Sequence, residues 1–204
     1  MRGKFITLEG IEGSGKSTNL EVIKNLLDNN NINYIVTREP GGGPLGPHLR
    51  ELLLNKDNSI SPSVEMLLMM ADRKDHVDNL IEPNLTKGTW VISDRYLDST
   101  IAYQGGGRQL NLNLITALSE ELKLPTPDLT LLFDLSVDLA LERAKKRSEL
   151  DRFEREPKEF HSRIRHSYLE QASINNRIKI IDSSKDIKSV SMQVENYILQ
   201  FLNE

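Results

Sequence analysis

The sequence FITLEGIEGSGKST, residues 5–18, decides the fold of this chain. Its first part, residues 5–8, is apolar and β-branched, which is typical of a buried strand. Residues 10–17, GIEGSGKS, match the phosphate-loop pattern G-x-x-x-x-G-K-S/T. Over residues 19–27 apolar side chains recur at helical spacing, which predicts an amphipathic helix. The loop therefore lies between a strand and a helix, the setting that a phosphate loop requires.

A loop of this kind binds phosphate mainly through its backbone. Its glycines allow successive N–H groups to point inward around an anion, and the following helix adds its positive dipole end. In such a loop Lys16 reaches the β- and γ-phosphates, and the Ser17 hydroxyl can ligate Mg²⁺. The predicted ATP-binding residues are Gly10, Ile11, Glu12, Gly13, Ser14, Gly15, Lys16, Ser17 and Thr18.

The composition predicts a globular protein of one domain. The 204 residues are 38% hydrophobic and 27% charged, with no cysteine. The missing cysteines exclude disulfides, thiol catalysis and Cys-based zinc sites, and suit a reducing cytoplasm. A net charge of −4 argues against a nucleic-acid partner. No apolar run approaches the ~20 residues of a membrane span, and a strand from residue 5 leaves no room for a signal peptide, so we expect a cytoplasmic protein with no membrane partner.

Five apolar segments alternate with segments of helical spacing. The predicted strands are residues 5–8, 34–37, 89–93, 129–135 and 178–182. The other predicted helices are residues 45–54, 63–87, 112–124, 137–147 and 187–202. Pro83 should bend or end the longest helix, and the glycines at 105–107 should break the segment after the third strand. This alternation predicts an α/β fold, a five-stranded parallel sheet with helices on both faces.

Three loops rich in polar or turn residues each follow a predicted strand. They are residues 10–17, 38–44 and 94–96. Ligands of a parallel sheet bind beyond the C-terminal ends of its strands. We therefore expect the three loops to meet at one edge of the sheet and to form the binding site there.

Asp94 and Asp134 compete for the role of magnesium ligand, because each lies at the end of an apolar strand. An acidic residue there can hold Mg²⁺ directly or through a water. We favour Asp94, because Arg95 beside it supplies phosphate-binding chemistry in the same loop. Asp134 would then be a helix cap or a satisfied polar group near the strand end.

Four arginines are candidates for binding phosphate, because guanidinium groups match phosphate oxygens in two-point contacts. Arg38, Arg50, Arg73 and Arg95 lie in or just after segments expected near the strand ends. An ordinary arginine is more often a solvated surface residue. Arg95 is the strongest candidate, since it lies inside the motif Asp-Arg-Tyr.

Residues 142–165 are dense in charge of both signs, which predicts an exposed excursion and not core. Their arginines, Arg147, Arg152 and Arg155, could form a mobile arm that closes over ATP and excludes water. They could equally belong to a mixed-charge helix face, with pairs such as Asp151 and Arg155. The charge pattern alone leaves both interpretations open.

Other kinds of site have weaker support. Asp72, Asp75 and His76 share a helix face and could bind a metal, but such spacing usually marks a solvated face. The chain contains no G-x-S-x-G, the nucleophile elbow that a Ser–His–Asp hydrolase of that type needs.

Six stretches together match one family in its own order. They are FITLEGIEGSGKST (5–18), TREPGGGPLG (37–46), MMADRKDHV (69–77), SDRYLDSTIAYQGGGR (93–108), PDLTLLFDL (127–135) and ELDRFE (149–154). They closely resemble the bacterial thymidylate kinases. The resemblance implies a P-loop fold of the nucleoside-monophosphate-kinase type, as one domain over residues 1–204 with a mobile lid at about 142–160. It implies a homodimer that transfers the γ-phosphate of Mg·ATP to dTMP, giving dTDP for dTTP synthesis.

The resemblance also implies roles for individual residues. The catalytic residues would be Lys16, Asp94, Arg95 and Arg152, and the Mg²⁺ ligands Ser17 and Asp94, the latter directly or through water. The dTMP-binding residues would be Glu12, Arg38, Met69, Arg73, Arg95, Ser99, Thr100, Tyr103 and Gln104. Glu12 would contact the 3′-hydroxyl, Arg38 and Arg95 the acceptor phosphate, and Arg73 the thymine carbonyl. Ser99, Thr100, Tyr103 and Gln104 would line the base and sugar pocket, with Tyr103 crowding a 2′-hydroxyl.

Two positions separate this chain from part of the family. Gly13 replaces a basic residue of one class, so the chain resembles the class with a lid arginine, for which Arg152 is the best candidate. Met69 stands where the family usually has a phenylalanine that stacks on thymine. A thioether can pack on a ring with a different geometry. Met69 could instead be helix core, since Met66 and Met70 lie beside it.

Two other functions stay open at this point. One is a kinase for another nucleotide or for a deoxynucleoside, and the other is an ATP-hydrolysing switch without an acceptor. The oligomeric state is open as well, because the apolar stripe Met66, Leu67, Met69 and Met70 suits a dimer face or an ordinary core helix.

Overall fold

The computed structural model describes residues 1–147 and 151–203. In this part of the chain five parallel strands form one sheet in the order β2-β3-β1-β4-β5. The strands are β1 (Phe5–Glu9), β2 (Tyr34–Arg38), β3 (Trp90–Asp94), β4 (Leu129–Asp134) and β5 (Ile178–Asp182). The predicted α/β fold is confirmed, and no predicted strand end is wrong by more than one residue.

Helices cover the sheet. They are α1 (Lys16–Asn29), α2 (Gly46–Leu54), α3 (Pro62–His76), α4 (Glu82–Thr86), α5 (Leu97–Thr100), α6 (Leu112–Glu121), α7 (Val137–Arg147), α8 (Lys158–Ile174) and α9 (Ile187–Leu202). Two π-helical segments, Val77–Ile81 and Ile101–Gly107, follow α3 and α5. The first directly precedes Pro83, where the missing proline N–H interrupts α-helical hydrogen bonding.

The central strand β1 is buried along its whole length. Side chains alternate between the two faces of a strand. Ile6 and Leu8 accordingly pack with residues of α1 and α9, whereas Phe5 packs on the opposite face with Val77 and Tyr96. Because both faces are covered, β1 is buried throughout and is apolar up to Glu9 except at Thr7, whose hydroxyl pairs with that of Thr130. This position holds the loop after β1 at the middle of the sheet edge.

The prediction that the glycines at 105–107 break the chain is wrong. They form the end of the π-helical segment Ile101–Gly107, and none has a positive φ. Their role is close packing, of Gly105 against α6 and of Gly106 and Gly107 against α8. A Cβ atom at Gly106 would lie 2.7 Å from Ser167 Cβ, and one at Gly107 would lie 2.6 Å from the Phe160 ring.

The prediction that residues 142–165 are an exposed excursion is also wrong for much of the segment. Phe153, Phe160 and Ile164 are buried and share a core cluster with Leu132 of β4. Phe160, Ile164 and Tyr168 follow one another at a spacing of four residues, so α8 has an apolar face. The charges on its other face hide this periodicity in the sequence.

Part of the predicted lid lies outside the described residues. Residues 148–150, with Glu149 and Leu150 of the matching stretch, belong to that part, and so does the side chain of Arg147. The mobility of the lid and its bounds stay predictions, as does the single domain over 1–204. Among the described helices none has the length and hydropathy needed to cross a membrane.

The burial of α8 predicts unequal costs of substitution along that helix. Ile164→Ala removes a fully buried side chain, so it should lower the free energy of unfolding by roughly 2–5 kcal/mol. Ser162→Ala, at an exposed position of the same helix, should change it by less than about 0.5 kcal/mol. Urea denaturation of both variants measures the difference. Equal, small costs would mean that α8 is not part of the core.

Candidate active site

The three predicted loops meet at the C-terminal edge of the sheet, around a cavity of about 600 Å³. Residues 12–18, 38–40 and 94–95 line it together with side chains of α2, α3, α5 and the second π-helical segment. All nine predicted dTMP-binding residues line this cavity, namely Glu12, Arg38, Met69, Arg73, Arg95, Ser99, Thr100, Tyr103 and Gln104. Lys16, Ser17, Asp94 and Arg50 line it as well.

The phosphate loop joins β1 directly to α1. Gly15 precedes the helix with φ +94°, and Gly10 has φ +132°, conformations that favour glycine. Residues 12–18 line the cavity, while Ile11 packs into the core cluster next to Ala140. The Nζ of Lys16 donates to the carbonyls of Gly10 at 2.9 Å and Ile11 at 3.2 Å. Those two residues therefore contribute to the loop by positioning Lys16.

Lys16 is a buried cation. Burial lowers its pKa, and the neighbouring Arg95 lowers it further, against the opposing effect of Asp94 and Glu12, to about 8. The ammonium group remains mainly protonated at neutral pH. Its positive charge is thus available to a phosphate in the cavity.

Glu12, Arg95 and Tyr103 form a cluster that joins two of the loops. Arg95 Nη2 forms a close ion pair with Glu12 Oε1 and donates to the Tyr103 hydroxyl at 3.1 Å. The Tyr103 hydroxyl donates to Glu12 Oε2 at 2.6 Å. Arg95 has φ +73°, a backbone strain for a non-glycine residue that the surrounding contacts must hold. Such strain is characteristic of functional sites.

The cluster keeps Glu12 ionised. Burial alone would raise its pKa, but Arg95, Lys16 and the Tyr103 hydroxyl together lower it to about 2. At neutral pH the group is therefore a carboxylate, which only accepts hydrogen bonds. It can accept from a hydroxyl of a ligand, and it repels additional phosphate at that point.

Glu9 and Tyr168 lie behind the cavity lining and hold Ser99 and Arg95 in place, and the sequence analysis missed both. Glu9 is fully buried and accepts hydrogen bonds from the Tyr96 N–H, the Ser99 hydroxyl and the Tyr168 hydroxyl at 2.6–3.0 Å. Burial, with Asp98 nearby, raises its pKa to about 7. Glu9 could have been identified from the sequence, because it is an acidic residue at the end of an apolar strand. Tyr168 lies in α8, three residues after the charged segment 142–165, and no sequence signal pointed to it.

The second loop is held by the residues that the sequence offered as a metal site. Asp72 accepts from the Gly41 N–H at 3.1 Å, and Asp75 from the Leu45 N–H at 2.8 Å. His76 contacts Glu39 at 2.9 Å through Nδ1 and also the Thr37 hydroxyl. The described residues contain no group of three or more side chains suited to hold a metal.

Arg73 is a buried arginine at the floor of the cavity. Its guanidinium donates to Glu39 at 2.8 Å, to the Thr100 hydroxyl at 2.8 Å and to the Tyr96 carbonyl at 2.9 Å. These contacts fix its position. Arg38 is exposed, and Arg50 donates to the Pro40 carbonyl at 2.7 Å. The cavity thus has positive charge on the side of β2 as well.

Asp94 and Asp134 differ in their surroundings. Arg165 binds both carboxylate oxygens of Asp134, at 2.7 and 2.9 Å. Asp94 lines the cavity, and its buried Oδ1 accepts no hydrogen bond from the described part of the chain. An unpartnered oxygen next to the phosphate loop suits a cation ligand, whereas Asp134 is already satisfied.

The methionine stripe of α3 is divided between environments. Met66 and Met70 are buried in the protein, whereas Leu67 is 53% exposed. Met69 is half-buried and lines the cavity beside Thr100 and Gln104. Its position fits contact with a ligand in the cavity.

The candidate lid arginines do not share one environment. Arg152 does not line the cavity; it donates to Glu65 at 2.7 Å and to the Leu53 carbonyl at 2.8 Å. Arg155 is exposed. Arg143 of α7 lines the cavity next to Gly13, although the sequence gave no reason to single it out. Its neighbour Gly13 is distant in sequence, which is why spacing could not identify it.

Comparison with known proteins identifies the family. The family model of thymidylate kinase matches residues 8–194. A protein of Carboxydothermus hydrogenoformans named thymidylate kinase is 47% identical over 199 residues, 97% of this chain and 98% of that protein. Thymidylate kinases of Ruthia magnifica and Nitrosospira multiformis are 48% and 44% identical, over 98% and 97% of this chain and 99% and 98% of their own lengths. The chain therefore belongs to the thymidylate kinase family.

Proposed function

We propose that this chain phosphorylates dTMP to dTDP with the γ-phosphate of ATP. The observation that carries the proposal is the cluster of Glu12, Arg95 and Tyr103, which ties the phosphate loop to an acceptor pocket. An ATP-hydrolysing switch has no need for a second anion-binding pocket next to the phosphate loop. The related proteins named thymidylate kinase support the same reaction.

The donor nucleotide binds along residues 12–18. Backbone N–H groups of the loop and the N-terminus of α1 receive its phosphates. Lys16 exchanges its bonds to the Gly10 and Ile11 carbonyls for the β- and γ-phosphates. Arg143, beside Gly13, adds a further positive charge on the side of α7.

Mg²⁺ belongs to this proposal, because Ser17 and Asp94 fit it. Asp94 has a buried carboxylate oxygen without a donor in the described residues, and the Ser17 hydroxyl is exposed in the same cavity. Hydroxyl and carboxylate oxygens are ligands that Mg²⁺ prefers. When bound, the ion supplies charge neutralisation on the phosphate oxygens.

The acceptor nucleotide binds between Arg95 and α3. Arg38 and Arg95 clamp its phosphate, and Arg95 also reaches the transferred group. Glu12, which accepts from the Tyr103 hydroxyl at 2.6 Å, also accepts the 3′-hydroxyl of the acceptor, and the Tyr103 ring crowds a 2′-hydroxyl. The base lies among Met69, Ser99, Arg73, Thr100 and Gln104, which all line the cavity. The protein contributes position and charge, which is most of what phosphoryl transfer requires.

Arg152 acts as the lid arginine in this proposal. To reach the phosphates it must leave Glu65 and the Leu53 carbonyl. Arg108 also binds Glu65, at 3.0 Å, so the carboxylate stays paired when Arg152 moves. Closure of this segment over ATP would exclude water from the reaction.

A homodimer and a cytoplasmic location complete the proposal. Leu52 of α2 and Val64 and Leu67 of α3 are large apolar side chains that are 42–53% exposed. An exposed apolar surface of this kind favours an interface with a second copy. The cysteine-free composition suits a reducing compartment.

The reaction is tested by ADP release with Mg·ATP and a panel of acceptors. The panel is dTMP, dUMP, dCMP, dGMP, AMP, thymidine and no acceptor. We expect strong turnover that is selective for dTMP. Turnover selective for another acceptor would contradict the assignment of the base pocket. ADP release without an acceptor would instead favour the switch.

The two aspartates give a matched test of the magnesium assignment. Asp94→Asn keeps the size of the side chain and removes its charge, so kcat should fall at least about 100-fold and the half-saturating Mg²⁺ concentration should rise. Asp134→Asn, which only loses the pair with Arg165, should stay within a few-fold of wild type. Mg²⁺ titrations of the initial rate measure both. Similar losses in both variants would contradict the assignment.

The Met69 position predicts a gain in dTMP binding. Met69→Phe places an aromatic face at the cavity wall, so activity should be kept and the KM for dTMP should fall. Met66→Leu is the control, because Met66 is buried and lies outside the cavity lining. Steady-state kinetics at saturating ATP measure the KM. An unchanged or raised KM in Met69→Phe would count against stacking at this position.

A further inference from the structure

Glu65 is a buried carboxylate that connects the acceptor pocket to two arginines. It lies in the first turn of α3 and is 0% exposed. Its partners are Gln104, Arg108 and Arg152, which come from two segments far from it in the sequence. None of the roles proposed above for the dTMP-binding residues involves Glu65.

The two oxygens of Glu65 have different partners. Oε1 accepts from Gln104 Nε2 at 2.8 Å, with a longer contact of 3.2 Å from Arg108 Nε. Oε2 accepts from Arg152 Nη1 at 2.7 Å and from Arg108 Nη2 at 3.0 Å. Arg108 Nε lies 3.2 Å from both oxygens, so the shorter arginine contacts fall on Oε2 and the shortest contact of Oε1 comes from Gln104.

This contact fixes the orientation of the Gln104 amide. An ionised carboxylate accepts hydrogen bonds and cannot donate them, so Gln104 must offer its NH₂ group to Glu65. The other end of the amide is a carbonyl oxygen, which accepts no hydrogen bond from the described part of the chain. Gln104 is 1% exposed and lines the cavity. A buried amide held in this way presents an acceptor to a base.

We propose that Glu65 is a positioning residue that sets base specificity by fixing the Gln104 amide. The carbonyl of Gln104 then accepts from the N3–H of a thymine or uracil ring. A cytosine ring has a lone pair at N3, so the same carbonyl would face an acceptor and neither group would be satisfied. This inference rests on the proposed function and deepens it.

The arginines make the effect of a substitution at Glu65 predictable. In Glu65→Gln the new side chain has one carbonyl and one NH₂ group of nearly the same shape. The two shortest arginine contacts, from Arg152 Nη1 and Arg108 Nη2, are donors at the Oε2 position, so they select the carbonyl there. The new NH₂ group then faces Gln104, whose amide must reverse to accept from it. Gln104 would turn its own NH₂ group toward the base and favour a lone pair at N3.

The experiment compares kcat/KM for dTMP and dCMP in wild type and Glu65→Gln. We expect the ratio of kcat/KM for dTMP to that for dCMP to fall by about tenfold or more. The reason is that a hydrogen bond that favours dTMP is replaced by one that favours dCMP. The KM for ATP should stay within a few-fold of wild type, which a general loss of structure would not allow. An unchanged ratio in a folded Glu65→Gln enzyme overturns the inference.

A second substitution separates positioning from stability. Gln104→Leu has no amide to orient, so its ratio of kcat/KM for dTMP to that for dCMP should be low. Adding Glu65→Gln to this variant should not lower the ratio further. Arg108→Lys is the matched control for the arginine side, because it keeps the charge and leaves the Gln104 contact. It should leave the ratio near that of wild type. A further fall in the double variant, or a fall in Arg108→Lys equal to that in Glu65→Gln, overturns the inference.

If Glu65→Gln does not fold, Glu65→Asp is the alternative variant for this test. It keeps the negative charge for the arginines, but its shorter side chain withdraws from Gln104, so the ratio should fall toward that of Gln104→Leu. A wild-type ratio in Glu65→Asp overturns the inference. A wild-type enzyme with no preference for dTMP overturns the proposed function together with this inference. A selective wild-type enzyme whose ratio is unchanged in these variants overturns the inference alone.

Discussion

The ion pair between Glu12 and Arg95 is the interaction on which the site depends. It joins the phosphate loop after β1 to the loop after β3, and the sheet makes it possible. Leu8 pairs with Asp94 in register, and the Arg95 N–H donates to the Leu8 carbonyl at 2.9 Å. The two strands thus bring together a carboxylate and a guanidinium group that lie 83 residues apart in the sequence.

The ion pair determines the charge state of Glu12 and the position of Arg95. Both side chains are largely withdrawn from water, so loss of either would leave an uncompensated charge in a region of low dielectric. Arg95 keeps Glu12 ionised, and Glu12 with its hydrogen bond from Tyr103 keeps Arg95 in place despite a strained backbone. A phosphate that binds Arg95 therefore meets a donor that is already oriented, which lowers the entropic cost of binding.

The local sequence pattern was sufficient to predict much of the fold and of the site. The three central strands β1, β3 and β4 are mainly buried and apolar, and the loop GIEGSGKS fixes both a turn and a chemistry, so their positions follow from residue type and spacing. The cavity lining followed from the resemblance and from the rule that parallel strands carry ligands at their C-terminal ends. The prediction was wrong where tertiary packing decides. The glycines at 105–107 allow close contact with α6 and α8, and the charged face of α8 concealed its buried one.

The residues that sequence reasoning missed share one property: their partners are remote. Glu65 meets Arg152 across 87 residues, and Glu9 meets Tyr168 across 159. No spacing rule connects such pairs, because only the folded chain brings them together. If Glu12 and Arg95 act as one unit in binding the acceptor, a double-mutant cycle will show coupling between them. The measurement is kcat/KM for dTMP in Glu12→Gln, Arg95→Met and the double variant. We expect a coupling energy of roughly 0.5–3 kcal/mol, with the double variant little worse than the worse single one. Additive losses would contradict it.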